Sequence, residues 1–194
     1  MPDTVERWTA ERVRALPDDG NRYELVAGEL IVTPAPSYLH QAAVMAFYDR
    51  LRPWLAASGI GRVMVAPADL SFGQDEILQP DLFAFPTRAD VPVQSWRDIG
   101  SLLLAVEVLS PATARYDRTL KRLRYQQAEV GEYWIVDVDA RLVERWRPED
   151  ARPEIVTERL VWRPGAADGA EISIDLDELF AGVHGNSTES SSGA

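Results

Sequence analysis

Hydrophobic and polar positions along this chain follow two periods, one helical and one of strand type. In "VERWTAERVRALP" (5–17) the apolar residues recur at helical spacing, and the run stops at Pro17 before the loop "DDGN". "RYELVAGELIVTP" (22–34) reads as two β-rich runs around Ala27–Gly28, a hairpin ended by Pro34 and Pro36. "SYLHQAAVMAFYDRLRPWLAASG" (37–59) returns to helical spacing, with Ser37 placed to cap its start and Gly59 its end. "GRVMVAPADLSF" and "LQPDLFAFP" read as two strands joined at Gly73–Glu76, and "RADVPVQSWRDIG" as a loop.

The run "SLLLAVEVLS" (101–110) is almost wholly apolar and of strand length, which predicts a central strand covered on both faces. Beyond it, Asp117 is expected to cap a helix to about Val130, with Gly131 as its stop. On that helix Leu120, Leu123 and Val130 form the apolar stripe. Arg118, Arg122, Gln126 and Glu129 face water, and Lys121 sits on the shoulder beside Tyr125 and Ala128. "EYWIVDVDARLVERWRP" predicts a hairpin turning at Asp139–Ala140. "EIVTERLVW" predicts one further strand, and "ISIDLDELF" a short closing element. Polar "HGNSTESSSGA" reads as disordered. The order predicts one α/β domain with a mixed sheet over residues 1–182 and a disordered tail over 183–194.

Composition narrows the chemistry. The chain has 194 residues, enough for one ordinary domain, and no cysteine. Disulfides, thiolate zinc sites and a thiol nucleophile are thereby excluded, so any metal takes oxygen or histidine ligands. No signal peptide and no apolar run of the roughly 18 residues that span a bilayer is visible, so a soluble, cytoplasmic protein without membrane contact is expected. Net charge is −11, against a protein coated in nucleic acid. Residues 112–125 reverse that sign locally, with Arg115, Arg118, Lys121, Arg122 and Arg124 set against Asp117 alone. Lys121 is the only lysine in the chain; every other basic side chain counted in that charge is arginine. Gly-rich phosphate loops, the His-Glu-x-x-His helix and the Gly-x-Ser-x-Gly elbow are absent, and Ser110, before Pro111, reads as a turn residue.

Two carboxylates stand where ionised groups are costly. Glu107 lies inside an apolar strand, on the face of Ala105 and Leu109, and Asp81 opens the strand after Pro80. Two such acids converging on one cleft would hold a hard divalent cation, with water completing its shell. Pairing with an arginine or capping a turn is the plainer reading of Asp81 taken alone. A lysine offers a compact charge on a long stem, and a pKa that can be lowered for acid–base work.

These residues, with "QPDLFAF", "LLLAVEVLSPAT", "YDRTLKRLRYQQAEVGEYWIVDVDARLVERW" and the early "YELVAGEL", closely resemble the Uma-type putative restriction endonuclease family of the PD-(D/E)xK nuclease superfamily. The resemblance runs from about Arg22 to Phe180. It implies a restriction-endonuclease-like core, with a mixed central sheet flanked by helices and the acids where the sheet splits. Asp81 matches the motif aspartate and Glu107 the second acid. Leu109 stands where the superfamily lysine would follow, so the resemblance assigns that role to Lys121. Glu24 matches an early acid. His40 sits where the family often has a histidine, although a capping or surface residue is the plainer reading of it. Asp117 and Tyr125 would support Lys121. The implied activity is Mg²⁺- or Mn²⁺-dependent endonuclease cleavage of DNA. Asp81, Glu107 and the Val108 carbonyl would bind the metal, Arg115, Arg118 and Arg124 would contact phosphates, and a homodimer would cut both strands. Two other readings stand beside it: a nuclease-fold interaction protein without turnover, favoured by the net charge, and a Mg²⁺-dependent hydrolase of a small nucleotide.

Overall fold

The computed structural model describes residues 7–87, 92–164 and 169–185. Helix α1 (Ala10–Arg14) starts at Thr9, whose side chain accepts a hydrogen bond from the Arg12 amide. A hairpin follows, β1 (Arg22–Val26) against β2 (Glu29–Thr33). Its two turn residues, Ala27 and Gly28, have φ of 52° and 85°, the left-handed pair that a tight two-residue hairpin demands. In α2 (Tyr38–Ser58), Ser37 accepts from the His40 amide, and Gly59 ends the helix at φ 69°. Strand β3 (Gly61–Val65) leads through a long connection to β4 (Leu82–Pro86), and a short 3₁₀ turn (Trp96–Asp98) precedes β5 (Leu104–Val108). Three stretches, Ala114–Tyr116, Asp117–Lys121 and Arg122–Gln127, run on as the helical segment α3; the middle one is a π-turn. Then come β6 (Glu132–Asp137), β7 (Leu142–Trp146), β8 (Glu154–Val156), β9 (Arg159–Trp162), β10 (Ile172–Asp175) and α4 (Leu176–Val183).

Strands β3 to β8 form one sheet in that spatial order, antiparallel except for the central β5–β6 pair. Both faces are buried, as the nearly continuous apolar run of β5 predicts. Leu104, Val106 and Val108 join Phe47, Leu51 and Leu55 of α2 and Leu179 and Phe180 of α4 in one core. Ala105 and Ile135 face the other way, into a second core with Phe83, Tyr125 and Tyr133, covered by α3 and the β1–β2 hairpin. Each fully buried large apolar side chain is worth about 1.5–3 kcal/mol, so these two layers supply the main driving force. The result is the expected mixed α/β sheet flanked by helices. Among the described residues no helix is long and apolar enough to cross a membrane.

The structure departs from the sequence reading at several elements. "GRVMVAPADLSF" leaves the sheet at Val65, and residues 66–81 are tied instead by isolated bridges, Leu25 to Ile77 and Leu70 to Leu78. "EIVTERLVW" is two strands: β8 pairs with β7, whereas β9 pairs with β10 outside the main sheet. "ISIDLDELF" divides at Asp175, which accepts from the Glu178 amide and starts α4. Asp117 is no cap, because α3 has already begun at Ala114. Gly131 is not the helix stop; Glu129, at φ 54°, reverses the chain, and Gly131 is needed because a Cβ there would lie 2.7 Å from the Leu103 carbonyl oxygen. The expected tail from residue 183 starts inside α4, whose last residue, Val183, is buried. Residues 186–194 of that expectation, 5–6 of the first helix and 88–91 of the expected loop lie outside the described residues.

Candidate active site

The last β4–β5 pair is Leu82 with Val106, so one step further along the antiparallel register sets Asp81 opposite Glu107. Both then project to the face of Phe83 and Ala105, the side covered by α3 and the hairpin. Asp81 is fixed by three neighbours. Its Oδ1 accepts from Arg22 Nη1 at 2.6 Å, its Oδ2 accepts from the Val108 amide at 2.9 Å, and His40 Nε2 lies 3.1 Å from the same Oδ2. Burial pushes the Asp81 pKa up, but the His40 and Arg22 contacts outweigh it and hold the carboxyl well below the usual range. Asp81 is therefore ionised.

Glu107 lies in the opposite regime. Burial drives its pKa well above the ordinary value, and the charges of Asp81, Asp117 and Glu24 add to that against the pull of Lys121. Its Oε1 accepts from Lys121 Nζ at 2.9 Å and from the Tyr125 hydroxyl at 3.1 Å. Lys121 Nζ also lies 2.8 Å from Glu24 Oε2, in ion-pair contact without hydrogen-bond alignment, and 3.5 Å from Asp117 Oδ1. Burial disfavours the ammonium, yet Glu107, Glu24 and Asp117 together raise its pKa above the usual lysine value. The lowered lysine pKa entertained from the sequence is thus corrected: three carboxylates make Lys121 a fixed cation. Tyr125 is also shifted upward, first by burial and then by the neighbouring acids, and stays protonated as a donor.

The π-turn explains the placement of Lys121. Thr113, Asp117, Lys121 and Tyr125 are buried at four-residue intervals, so the inward stripe of α3 is polar, while Leu123, expected inside, is 45% exposed. A hydropathy rule puts charges outward and could not find this stripe. The sequence reading also missed Arg22, although period two sets it beside Glu24 on β1, 3.9 Å from that carboxylate. Glu24 Oε1 accepts from the Gln79 amide at 2.8 Å, tying the hairpin to the segment that carries Asp81. His40, read more plainly as a surface or capping residue, instead turns its side chain to Asp81.

A cleft of about 1190 Å³ opens at the carboxyl ends of β5 and β6; Asp81, Arg22 and His40 line it, together with Ser110 and Arg118. Glu107 and Lys121 are buried and do not line the cleft. Of the arginines expected at phosphates, only Arg118 lines it, 2.7 Å from Glu144 and 3.6 Å from Asp137. Arg124 is held by Glu76 and Gln127, and Arg115 is exposed; neither lines the cleft. Val108 meets Asp81 through its amide.

Four buried acids, Glu24, Asp81, Glu107 and Asp117, face two permanent cations, Arg22 and Lys121, an excess of two negative charges when all are ionised. Both Asp117 oxygens are buried without a hydrogen-bond partner. A hard divalent cation would offset that excess through oxygen ligands. Among the described residues no cluster of three or more acidic, histidine or cysteine side chains is arranged for a metal. A pair of carboxylates suffices for Mg²⁺, which keeps most of its waters.

A model of the Uma2 family, described as "Putative restriction endonuclease", matches residues 10–175. A crystal structure described as a "putative nuclease belonging to DUF820" from Anabaena variabilis ATCC 29413 has the same fold. It gives a TM-score of 0.74 at 20% sequence identity, over 91% of this chain and 99% of that one. No curated protein matches the chain.

Proposed function

The chain belongs to the Uma2 family, and on that premise we propose that it is a divalent-metal-dependent endonuclease hydrolysing phosphodiester bonds in DNA. The observation that carries this reading is the cross-strand placement of Asp81 and Glu107, with the Lys121 amine 2.9 Å from Glu107. Asp81 and Glu107, with the Val108 carbonyl, would hold Mg²⁺ or Mn²⁺. Such a cation, when bound, polarises the phosphate and lowers the pKa of a bound water.

The protein's own groups do the rest. Arg22 and His40 keep Asp81 ionised and aimed, which removes any need to reorganise it during reaction. Lys121 and Tyr125 hold Glu107 from behind by donating to the same carboxylate oxygen, the lysine as a fixed positive charge and the tyrosine as a neutral donor. Arg118, on the cleft wall, would meet a neighbouring phosphate. Hydrolysis forms a bond from water oxygen to phosphorus and breaks the bond to the leaving oxygen, which takes up a proton by way of solvent.

Cleavage of an oligonucleotide in Mg²⁺ or Mn²⁺ tests the reading, with Asp81→Ala and Glu107→Gln compared with the native protein. Loss of cleavage by 100-fold or more (~10²) in both is the expected result. Equal cleavage by all three, or none by the native protein, would count against it. A binding protein without turnover is the second reading, favoured by one feature: both Asp81 oxygens already have protein partners. DNA binding with no product in either metal would select it.

A further inference from the structure

A second concavity, of about 570 Å³, lies beside the cleft and is lined by Arg14, Asp69, Ser71, Ser95, Trp96 and Arg97. Asp69 lines both, so the two share a wall. Its lining differs in character from the cleft. In the cleft, Asp18, Asp69, Asp81, Asp137 and Asp139 outnumber Arg22 and Arg118. In the second concavity two arginines face one acid. Arg14 and Arg97 are both exposed, and among the described residues neither has an acidic partner within salt-bridge distance, unlike Arg22, Arg118 and Arg124. Trp96 is only partly buried and packs edge-on against Phe83, with ring centroids 6.1 Å apart and planes at 80°.

We propose that this groove binds a single-stranded segment of the polynucleotide whose scissile phosphate lies at Asp81, one base stacking on Trp96 and the adjoining phosphates pairing with Arg14 and Arg97. The proposal rests on the endonuclease reading of the neighbouring cleft. An aromatic face beside free guanidinium groups is the chemistry that holds unpaired nucleic acid, because every base has a face to stack and every linkage carries a charge. Charge selects the single strand over the duplex. The chain carries −11 overall, and a duplex offers shielded bases and two rows of phosphates to that acidic surface. A single strand needs only local cations, which Arg14 and Arg97 supply in the groove that shares Asp69 with the cleft.

The experiment measures binding of a fluorescent oligothymidylate and of a blunt duplex to the full chain carrying Asp81→Ala, with and without Arg14→Ser/Arg97→Ser or Trp96→Leu. Melting temperatures verify folding, and Trp96→Tyr serves as the aromatic rescue. The expected result is single-strand binding stronger than duplex binding, weakened about tenfold by Trp96→Leu and restored by Trp96→Tyr. The double arginine variant lowers the salt slope by about 1.4, the share of two phosphate contacts on a single strand. Hydrolysis of bis(p-nitrophenyl) phosphate by otherwise native protein is unchanged by the groove substitutions. Binding indifferent to these substitutions, or a duplex preference, overturns this inference while leaving cleavage at Asp81 intact. Groove-dependent binding without hydrolysis of any phosphodiester overturns only the endonuclease reading.

Discussion

Lys121 Nζ lies 2.9 Å from Glu107 Oε1, with both side chains buried, and the same nitrogen reaches Glu24 and Asp117. One compact ammonium thus serves three carboxylates. A guanidinium is planar and longer, and it cannot spread its donors around a single point. That geometry gives a physical reason for one lysine in a chain that otherwise uses arginine.

Removing that nitrogen strands buried charge. Lys121→Ala is expected to destabilise the fold by about 3–5 kcal/mol, the range for breaking a buried ion pair by deleting one partner. Lys121→Arg retains the charge but overfills the pocket, at about 1–3 kcal/mol. Urea unfolding at neutral pH measures both, and an arginine variant as stable as the native protein would refute the geometric argument.

Asp117 makes stability depend on pH. Burial raises its pKa from the ordinary 3.8, with Asp81 and Glu24 adding to the rise and Lys121 opposing it. A carboxyl whose folded pKa is raised contributes stability that is complete below pH 3.8 and is lost as pH rises through the folded value. Unfolding free energy should therefore decline with rising pH in that window, by at most about 1.4 kcal/mol per pH unit for one proton. Asp117→Asn should flatten the decline. Urea curves in EDTA between about pH 4 and about pH 8 supply the comparison, and parallel slopes in the two proteins would contradict it.

Asp81→Asn swaps an acceptor for a donor opposite Arg22 or the Val108 amide. One buried donor is then left unsatisfied, which costs about 1–3 kcal/mol. The loss should appear in urea unfolding with unchanged slope, and an unchanged midpoint would show that the contacts are replaced by water.

If Asp81 and Glu107 hold a divalent cation, Mn²⁺ should raise the melting temperature of the native protein. At a hundredfold excess over Kd the linkage is worth about 2.7 kcal/mol. Asp81→Ala should abolish the shift, and an equal shift in that variant would place the ion elsewhere.

Gly131→Ala sets a methyl 2.7 Å from the Leu103 carbonyl oxygen and should cost about 1–3 kcal/mol. Glu129→Gly, at φ 54°, should be neutral or slightly stabilising. The reverse order in thermal denaturation would mean that Gly131, not Glu129, ends α3.

By itself the sequence determined the features set by neighbours along the chain. The hairpin at Ala27–Gly28, the capped span of α2 and the central position of β5 follow from turn chemistry, caps and apolar periodicity, which act over a few residues. Asp81 and Glu107 could be picked out because ionisable groups in apolar runs are costly, Lys121 because it is the only lysine, and all three by their likeness to a family. Tertiary structure alone decided how they meet. The extra residue in the π-turn aims Asp117 and Lys121 inward, where the apolar periodicity had set one as a cap and the other on the helix shoulder. Arg22 and His40 reach Asp81 from 59 and 41 positions away in the chain, through the packing of the hairpin and α2 onto opposite faces of the sheet. Even the ordering of the two acids' pKa values is a property of that packing. It gives Asp81 two basic partners and encloses Glu107 among other acids, and no local pattern carries that information.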